Sequence, residues 1–248
     1  MELYDTIGRG YGRRRRQDPR IAAQIFHALE GASSVVNVGA GAGSYEPRDR
    51  KLVAVEPSMV MIRQRGGNGV PVVRASAISL PFRDEAFDAS LAILTIHHWP
   101  DLEHGLRELR RVCRQKVIIL THDPSATPFW LTDYFPEILE IDRWSLPSLD
   151  ELHRHLGAFS VIDVPIPHDC TDGFLGAYWR RPHAYLSAEV RSAISFFSRL
   201  PNAENGLAAL RRDLASGDWY RRYGEILHRS TSDLGYRLIV ASRLQPAA

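Results

Sequence analysis

Apolar residues along this chain alternate between short unbroken runs and longer stretches with one apolar face. SSVVNV, residues 33–38, and KLVAVEPS, residues 51–58, hold brief β-branched runs, and PVVRASA, residues 71–77, reads as a third short strand. FDASLAILTI, residues 87–96, and KVIILTHD, residues 116–123, are longer and apolar on both sides. Strands of that kind are the interior of a parallel sheet covered on both faces. Between the runs the period changes to that of a helix. Ile21, Ile25, Phe26 and Leu29 share one face behind an Asp-Pro start, and Gly31 closes the segment. Residues 59–67 read as helical up to a glycine pair, and residues 101–114 set Leu102, Leu106, Leu109 and Val112 opposite arginines. The first two strands leave room between them for barely one turn of helix.

The second half is less regular. SLDELHRHL, residues 148–156, opens on a serine cap and predicts a helix, AFSVIDVPIP, residues 158–167, a sixth strand, and GYRLIVASRL, residues 235–244, a last one. Helical signals in EVRSAISFFSRL and NGLAALRRDLA fill the interval between those strands. Repeated β-α units with short loops predict an α/β fold with an open, doubly wound sheet of seven strands, whose ligands bind beyond the carboxyl ends of the strands. Residues 1–170 and 233–248 are expected to form the core, with residues 171–232 a helical insertion that lids a substrate site before the last strand.

Composition narrows the class. The 248 residues are 44% hydrophobic and 24% charged, which removes disordered, collagenous and coiled-coil readings. Of the 31 basic residues only Lys51 and Lys116 are lysines, yet 29 acids balance them to a net charge of +2, so no nucleic-acid partner is expected. The run Arg13 to Arg16 stands out; solvated ion pairs are its ordinary explanation, and an anion contact near Tyr11 is the alternative. Cys113 and Cys170 offer neither a disulfide framework nor zinc-ligand spacing, and no metal is expected. The absence of a leader-like or membrane-spanning stretch predicts a cytoplasmic protein with no membrane partner, monomeric or homodimeric.

Candidate chemistry begins at Asn37-Val38-Gly39-Ala40-Gly41-Ala42-Gly43, directly after the first strand. Glycines there turn the chain sharply and let a ligand approach the backbone. The spacing is GxGxG, and Ser44 stands where the dinucleotide fingerprint GxGxxG has its third glycine. Glu56 ends the second strand, 17 residues after Gly39, where a carboxylate can accept both hydroxyls of a ribose. That acid serves either cofactor class.

With these motifs in place the chain resembles the class I S-adenosylmethionine-dependent methyltransferases, in the small-molecule group of ubiquinone and menaquinone biosynthesis type (methyltransferase type 11). The resemblance covers roughly residues 4–123. VVNVGAGAG is similar to the family's first motif, VEPS to its acidic second motif, ASAISLPFRDEAFD to the segment that reaches the adenine, and SLAILTIHHW to the fourth-strand motif; YDTIGRGYGRRRRQDPRI is similar to the opening helix. The resemblance implies a Rossmann-like methyltransferase sheet that binds S-adenosyl-L-methionine and releases S-adenosyl-L-homocysteine. It also implies cofactor contacts from Tyr11, Asn37, Gly39, Ala40, Gly41, Gly43, Glu56, Pro57, Ser58, Ser76, Ala77, Leu94 and Thr95. Asn37 and Ser76 depart from the pattern, which often has acids there; both keep acceptor oxygens and lose charge assistance.

The implied activity is methyl transfer to an oxygen or nitrogen nucleophile of a small metabolite, carbon not being excluded. The alternative is a protein of the same fold that binds the cofactor without transferring methyl. A nicotinamide oxidoreductase is disfavoured by the GxGxG spacing. A general base is needed to deprotonate a hydroxyl or ammonium acceptor, and His97, His98 and His122 stand at the ends of the fourth and fifth strands as candidates. Aromatic residues concentrate in the second half, from Phe129 to Tyr223, and predict a roof over a partly aromatic or hydrophobic substrate.

Overall fold

The computed structural model describes residues 11–66, 69–200 and 202–242. The first part of the opening segment, residues 4–10, and residues 243–244 of the final apolar run lie outside them.

Seven strands form one sheet: β1 (Ser34–Val38), β2 (Lys51–Val55), β3 (Val72–Val73), β4 (Phe87–Ile93), β5 (Cys113–His122), β6 (Ser160–Asp163) and β9 (Tyr236–Ser242). Their order is β3-β2-β1-β4-β5-β9-β6. β1 to β5 run parallel, whereas β9 pairs antiparallel with both β5 and β6. The chain winds outward in one direction from β1 and in the other from β4, so the crevice between those strands is the switch point where such sheets bind ligands.

Successive residues of each strand enter opposite faces. Val35, Leu91 and Ile118 join the apolar cluster that contains Ile21, Ile25 and Leu29 of the helix Pro19–Ala28 and the residue after it. Val36, Ala92 and Ile119 join the other, with Leu106 and Leu109 of the helix Leu102–Val112 and Leu152 and Leu156 of the helix Leu149–Leu156. Each of these helices starts on a side-chain cap: Asp18 accepts from the Arg20 amide, Asp101 from His104 and Ser148 from Glu151.

Several elements are shorter than the hydrophobic pattern predicts. The third strand keeps only Val72 and Val73, and the segment after β2 is helical only over Met59–Ile62. No helix separates β1 from β2; the glycine loop turns directly. The sixth apolar run splits at Pro165, which has no amide hydrogen to extend the ladder. Beyond it β7 (Ile166–Pro167) pairs with β8 (Thr231–Ser232), a small ribbon joining the two ends of the intervening stretch.

That stretch contains the helices Ala188–Arg191, Ser195–Arg199, Glu204–Ser216 and Asp218–Tyr223. Its Tyr185, Leu207, Leu210 and Trp219 are buried in the same cluster as Ile21 and Leu238. A further helix, Glu137–Ser145, follows β5 and was not legible in the pattern, because Leu139 and Trp144 interrupt its apolar face and are 42% and 88% exposed.

Candidate functional site

Two adjoining cavities open at the carboxyl ends of β1, β2, β4 and β5. The first is built around the glycine loop. The Gly39 and Ala40 amides both donate to the Val55 carbonyl, at 2.9 and 3.0 Å, folding the loop across the end of β2. Gly39 has φ +71°, and a Cβ on it would lie 2.1 Å from Thr95 Oγ1, so glycine is required twice over, by conformation and by space. Glu56 accepts from the Gly41 amide (2.8 Å) through Oε2 and from the Ser58 amide (2.9 Å) through Oε1. These two amides fix the plane of its carboxylate at the lip of the cleft.

Of the residues singled out in the sequence, Tyr11, Gly39, Gly41, Glu56, Pro57, Ser58, Ser76, Ala77, Leu94 and Thr95 line this cleft. Trp99, the last residue of the fourth-strand motif, lines it too, as do Met61 and Pro100, which lie outside the motifs. Asn37, Ala40 and Gly43 do not line it. Asn37 is buried beneath the loop; its Nδ2 donates to Glu46 Oε1 at 3.2 Å, while Oδ1 is buried with no partner among the described residues. Glu46 in turn pairs with Arg65 at 2.7 Å, their side chains 3% and 5% exposed, and Arg65 Nη1 donates to the Gly41 carbonyl. A buried ion pair therefore underpins the loop, with an acid beside Asn37.

The arginine run proves to be structural in its two middle members. Arg15 donates to Asp172 Oδ1 at 2.7 Å and to the Tyr11 hydroxyl, its guanidinium 5.1 Å from the centre of the Tyr11 ring. Arg14 pairs with Glu189. The turn Tyr11–Arg14, which brings Tyr11 over the first cleft, is thereby tied to the stretch between β7 and β8. Arg13 and Arg16 are exposed.

The second cavity is larger, about 1090 Å³ with its open mouth, and shares Leu94 and His98 with the first. Leu94 has φ +50°, a strained conformation for leucine, at the place where the cavities meet. Phe129, Phe174, Phe196 and Tyr236 supply aromatic walls, with Ile138, Ile141 and Leu146. Much of the aromatic second half is packing instead: the Trp130 ring lies edge-on to Tyr185 at 5.5 Å and to Trp219 at 5.2 Å, within the core. The aromatic roof expected from composition is thus a core cluster with a few rings turned to the cavity.

The polar lining consists of His97, His98, His122, Asp142, Thr132, Ser145, Ser195, Thr127 and two guanidinium groups, Arg15 and Arg199. Arg199 Nη2 lies 3.0 Å from His98 Nδ1. A guanidinium can only donate, so Nδ1 is the acceptor and the ring carries its proton on Nε2. Desolvation, reinforced by His97, Arg199 and Arg15, holds His98 well below its ordinary pKa, and desolvation with Arg199, Arg15 and His122 takes His97 down to about 3. His122, at the end of β5, is also lowered by desolvation. Its Nδ1 is 3.9 Å from Asp142 Oδ2, and burial pushes the Asp142 carboxyl up to about 6 against the opposing influence of Arg199. The three histidines that the sequence proposed as bases therefore come together as neutral rings, joined by an acid that no motif marked. Among the described residues there is no cluster of metal-ligating side chains and no helix long and apolar enough to cross a membrane.

A methyltransferase-domain family profile matches residues 36–121, the span from β1 to β5. Over 93% of this chain and 99% of its own, a solved structure from Anabaena variabilis, assigned as a methyltransferase from an antibiotic biosynthesis pathway, superposes with TM-score 0.85 and 37% identity. Among curated proteins, a chloroplastic 2-methyl-6-phytyl-1,4-hydroquinone methyltransferase of rice is 27% identical over 67% of this chain and 49% of its own length. A demethylmenaquinone methyltransferase of Corynebacterium urealyticum is 28% identical over 49% of this chain and 51% of its own. The chain thus spans about half the length of these curated relatives.

Proposed function

Because the chain belongs to the S-adenosylmethionine-dependent methyltransferases of this family, we propose that it transfers a methyl group to a mid-sized, largely apolar small molecule held in the second cavity. The observation that carries this reading is the shared wall: Leu94 and His98 border both cavities, so one molecule in each would meet there. The residues of the first cleft fit the cofactor. Glu56, just after β2, is held at the cleft by the Gly41 and Ser58 amides, and the close approach of Thr95 to Gly39 keeps the loop free of a side chain where a ligand would lie along its backbone.

In this reading Tyr11 covers the first cleft, Glu56 takes the ribose hydroxyls, and Ser76 and Ala77 lie along the adenine. When bound, the cofactor supplies a methyl group activated on a sulfonium. The task of the protein is then to align the acceptor with that methyl and to keep water out. Phe129, Phe174, Phe196 and Tyr236 hold an apolar acceptor body, and the stretch 171–232 covers it. Asp142, with His122 beside it, is the proton acceptor, since a carboxyl near 6 is largely ionised at neutral pH yet basic enough to take a proton. His98 acts as a hydrogen-bond donor, because Arg199 occupies its Nδ1.

The test is incubation with methyl-labelled S-adenosylmethionine and an extract of small apolar metabolites. Label in an extractable product, matched by S-adenosylhomocysteine, is expected. Cofactor bound without label in any acceptor would instead favour a protein that uses the same cleft for another purpose.

A further inference from the structure

We propose that Arg15 is a positioning residue that couples the two cavities, so that a cofactor in the first cleft orders the wall of the second. The inference rests on the proposed assignment of the two cavities and adds a dependence between them: the acceptor site is completed when the cofactor is in place.

Tyr11 borders the first cleft and Arg15 the second, and neither residue borders both. One guanidinium joins them. Its Nη1 donates to the Tyr11 hydroxyl, while Nε and Nη2 lie 2.7 and 3.5 Å from the oxygens of Asp172. The Asp172 carboxylate is fully buried and also accepts from the Tyr45 hydroxyl at 3.0 Å and from the Gly173 amide at 2.7 Å. A buried polar network satisfied in this way holds its members in one arrangement. Next along the chain is Phe174, which walls the second cavity; its ring centre is 6.0 Å from the Arg15 guanidinium carbon and 4.7 Å from that of Tyr236. The backbones are close as well, since a Cβ on Gly173 would lie 2.9 Å from the Arg14 carbonyl oxygen. On the other side the turn is tied to the first cleft. Ser44 Oγ, beside the glycine loop, donates to the Arg15 carbonyl at 2.8 Å, and the Gly12 amide donates to Gln64 Oε1 at 3.2 Å.

The fork of a guanidinium is planar and rigid, so its two edges cannot move independently. A ligand packed against Tyr11 restricts the turn Tyr11–Arg14, and Arg15 carries that restriction to Asp172. The residues that follow, Phe174 and Leu175, then lose freedom on the wall of the other cavity. An acceptor entering a wall already ordered has less ordering left to do, and by linkage the cofactor gains equally from the acceptor. A plain staple between the turn and the stretch 171–232 would behave differently, stabilising the fold to the same extent with the first cleft empty or filled.

Hydrogen–deuterium exchange read by mass spectrometry on the full chain, with and without saturating S-adenosylhomocysteine, provides the test. The reporter is the segment 171–181, in which the Gly173 amide bonds to Asp172 and the Gly176 amide to the Tyr236 hydroxyl. The reference is the helix Leu149–Leu156, which lines neither cavity and registers the general stabilisation that any ligand of the folded state brings. S-adenosylhomocysteine should slow the reporter at least about fivefold more than the reference. Arg15→Lys leaves a cation beside Asp172 but no fork and should abolish that excess, while Tyr11→Phe keeps the Arg15–Asp172 pair and should reduce it. A reporter slowed no more than the reference in wild-type protein, or an excess unchanged in either variant, overturns the inference. A purely structural Arg15 gives that second result, because Arg15→Lys would then loosen the chain equally with and without the ligand. Calorimetry beforehand keeps the two failures apart: wild-type protein that does not bind S-adenosylhomocysteine defeats the proposed function instead.

Discussion

Replacing Gly39 by alanine places a methyl group where the structure has room for none. The new Cβ would sit 2.1 Å from Thr95 Oγ1 and 2.9 Å from Thr95 Cβ and Cγ2, on a backbone with φ +71°. The left-handed conformation alone costs about 1–2 kcal/mol for a residue with a Cβ. Crowding in a packed region adds about 1–3 kcal/mol, while the stiffer unfolded chain returns about 0.4–1 kcal/mol. The net loss is therefore about 2–4 kcal/mol, which for a chain of this length lowers the melting temperature by roughly 4–16 °C. Thr95 is buried and borders the first cleft, so the loop and Thr95 must separate and S-adenosylhomocysteine affinity falls as well. Thermal melts and calorimetry on Gly39→Ala, Thr95→Gly and the double variant form a cycle in which the steric part, and not the conformational part, is recovered. A single variant with wild-type melting temperature and affinity, or a double variant whose losses simply add, would refute the packing argument.

Asp142→Asn should lower kcat/KM by about 10²- to 10⁴-fold. In wild-type protein activity should fall as pH drops through about 6, where the Asp142 carboxyl takes up a proton, and this acidic limb should vanish from the residual rate of the variant. Arg65→Met removes the cation that pairs with the buried Glu46 carboxylate and should cost about 3–5 kcal/mol in denaturant unfolding, with cofactor affinity lost alongside because Arg65 also donates to the Gly41 carbonyl. Asp88 is buried, which alone raises its pKa, but bonds from Arg114, Ser34 and Ser33 hold its carboxyl well below the usual range. Its contribution is therefore full above about pH 5 and is lost progressively as pH falls below the ordinary carboxylate range toward its lowered folded-state pKa, so Asp88→Asn should destabilise by about 2–3 kcal/mol at neutral pH and progressively less on acidification.

What the sequence revealed follows from how local each feature is. The glycine loop, Glu56 and the alternation of buried strands are written in contiguous residues, and each is where the pattern predicts. The antiparallel placement of β9 between β5 and β6 depends on tertiary pairing that no local period encodes. Asp142 escaped notice because its helix carries the exposed Trp144 and Leu139 beside buried positions, blurring the face. Arg199 resembled every other arginine of an arginine-rich chain; only the structure distinguishes it from Arg14 and Arg15, which have acids. Aromatic content likewise cannot separate the Trp130 and Trp219 packing cluster from Phe129 and Phe196 on the cavity wall. Gly235 carries a further signal that sequence alone hides: a Cβ there would fall 2.9 Å from His122 Nε2, so its absence leaves space for that ring.

Titration of S-adenosylhomocysteine into wild-type protein and Ser76→Phe tests most directly whether the first cleft is the cofactor site. Ser76 lies half-buried on the cleft wall, so the ring should fill the cavity and spare the core. One molecule should bind per wild-type chain, and the variant, with its melting temperature unchanged, should bind at least about tenfold more weakly, a loss of ~1.4 kcal/mol. Absence of binding to wild-type protein, or equal affinity in the variant, would contradict the assignment.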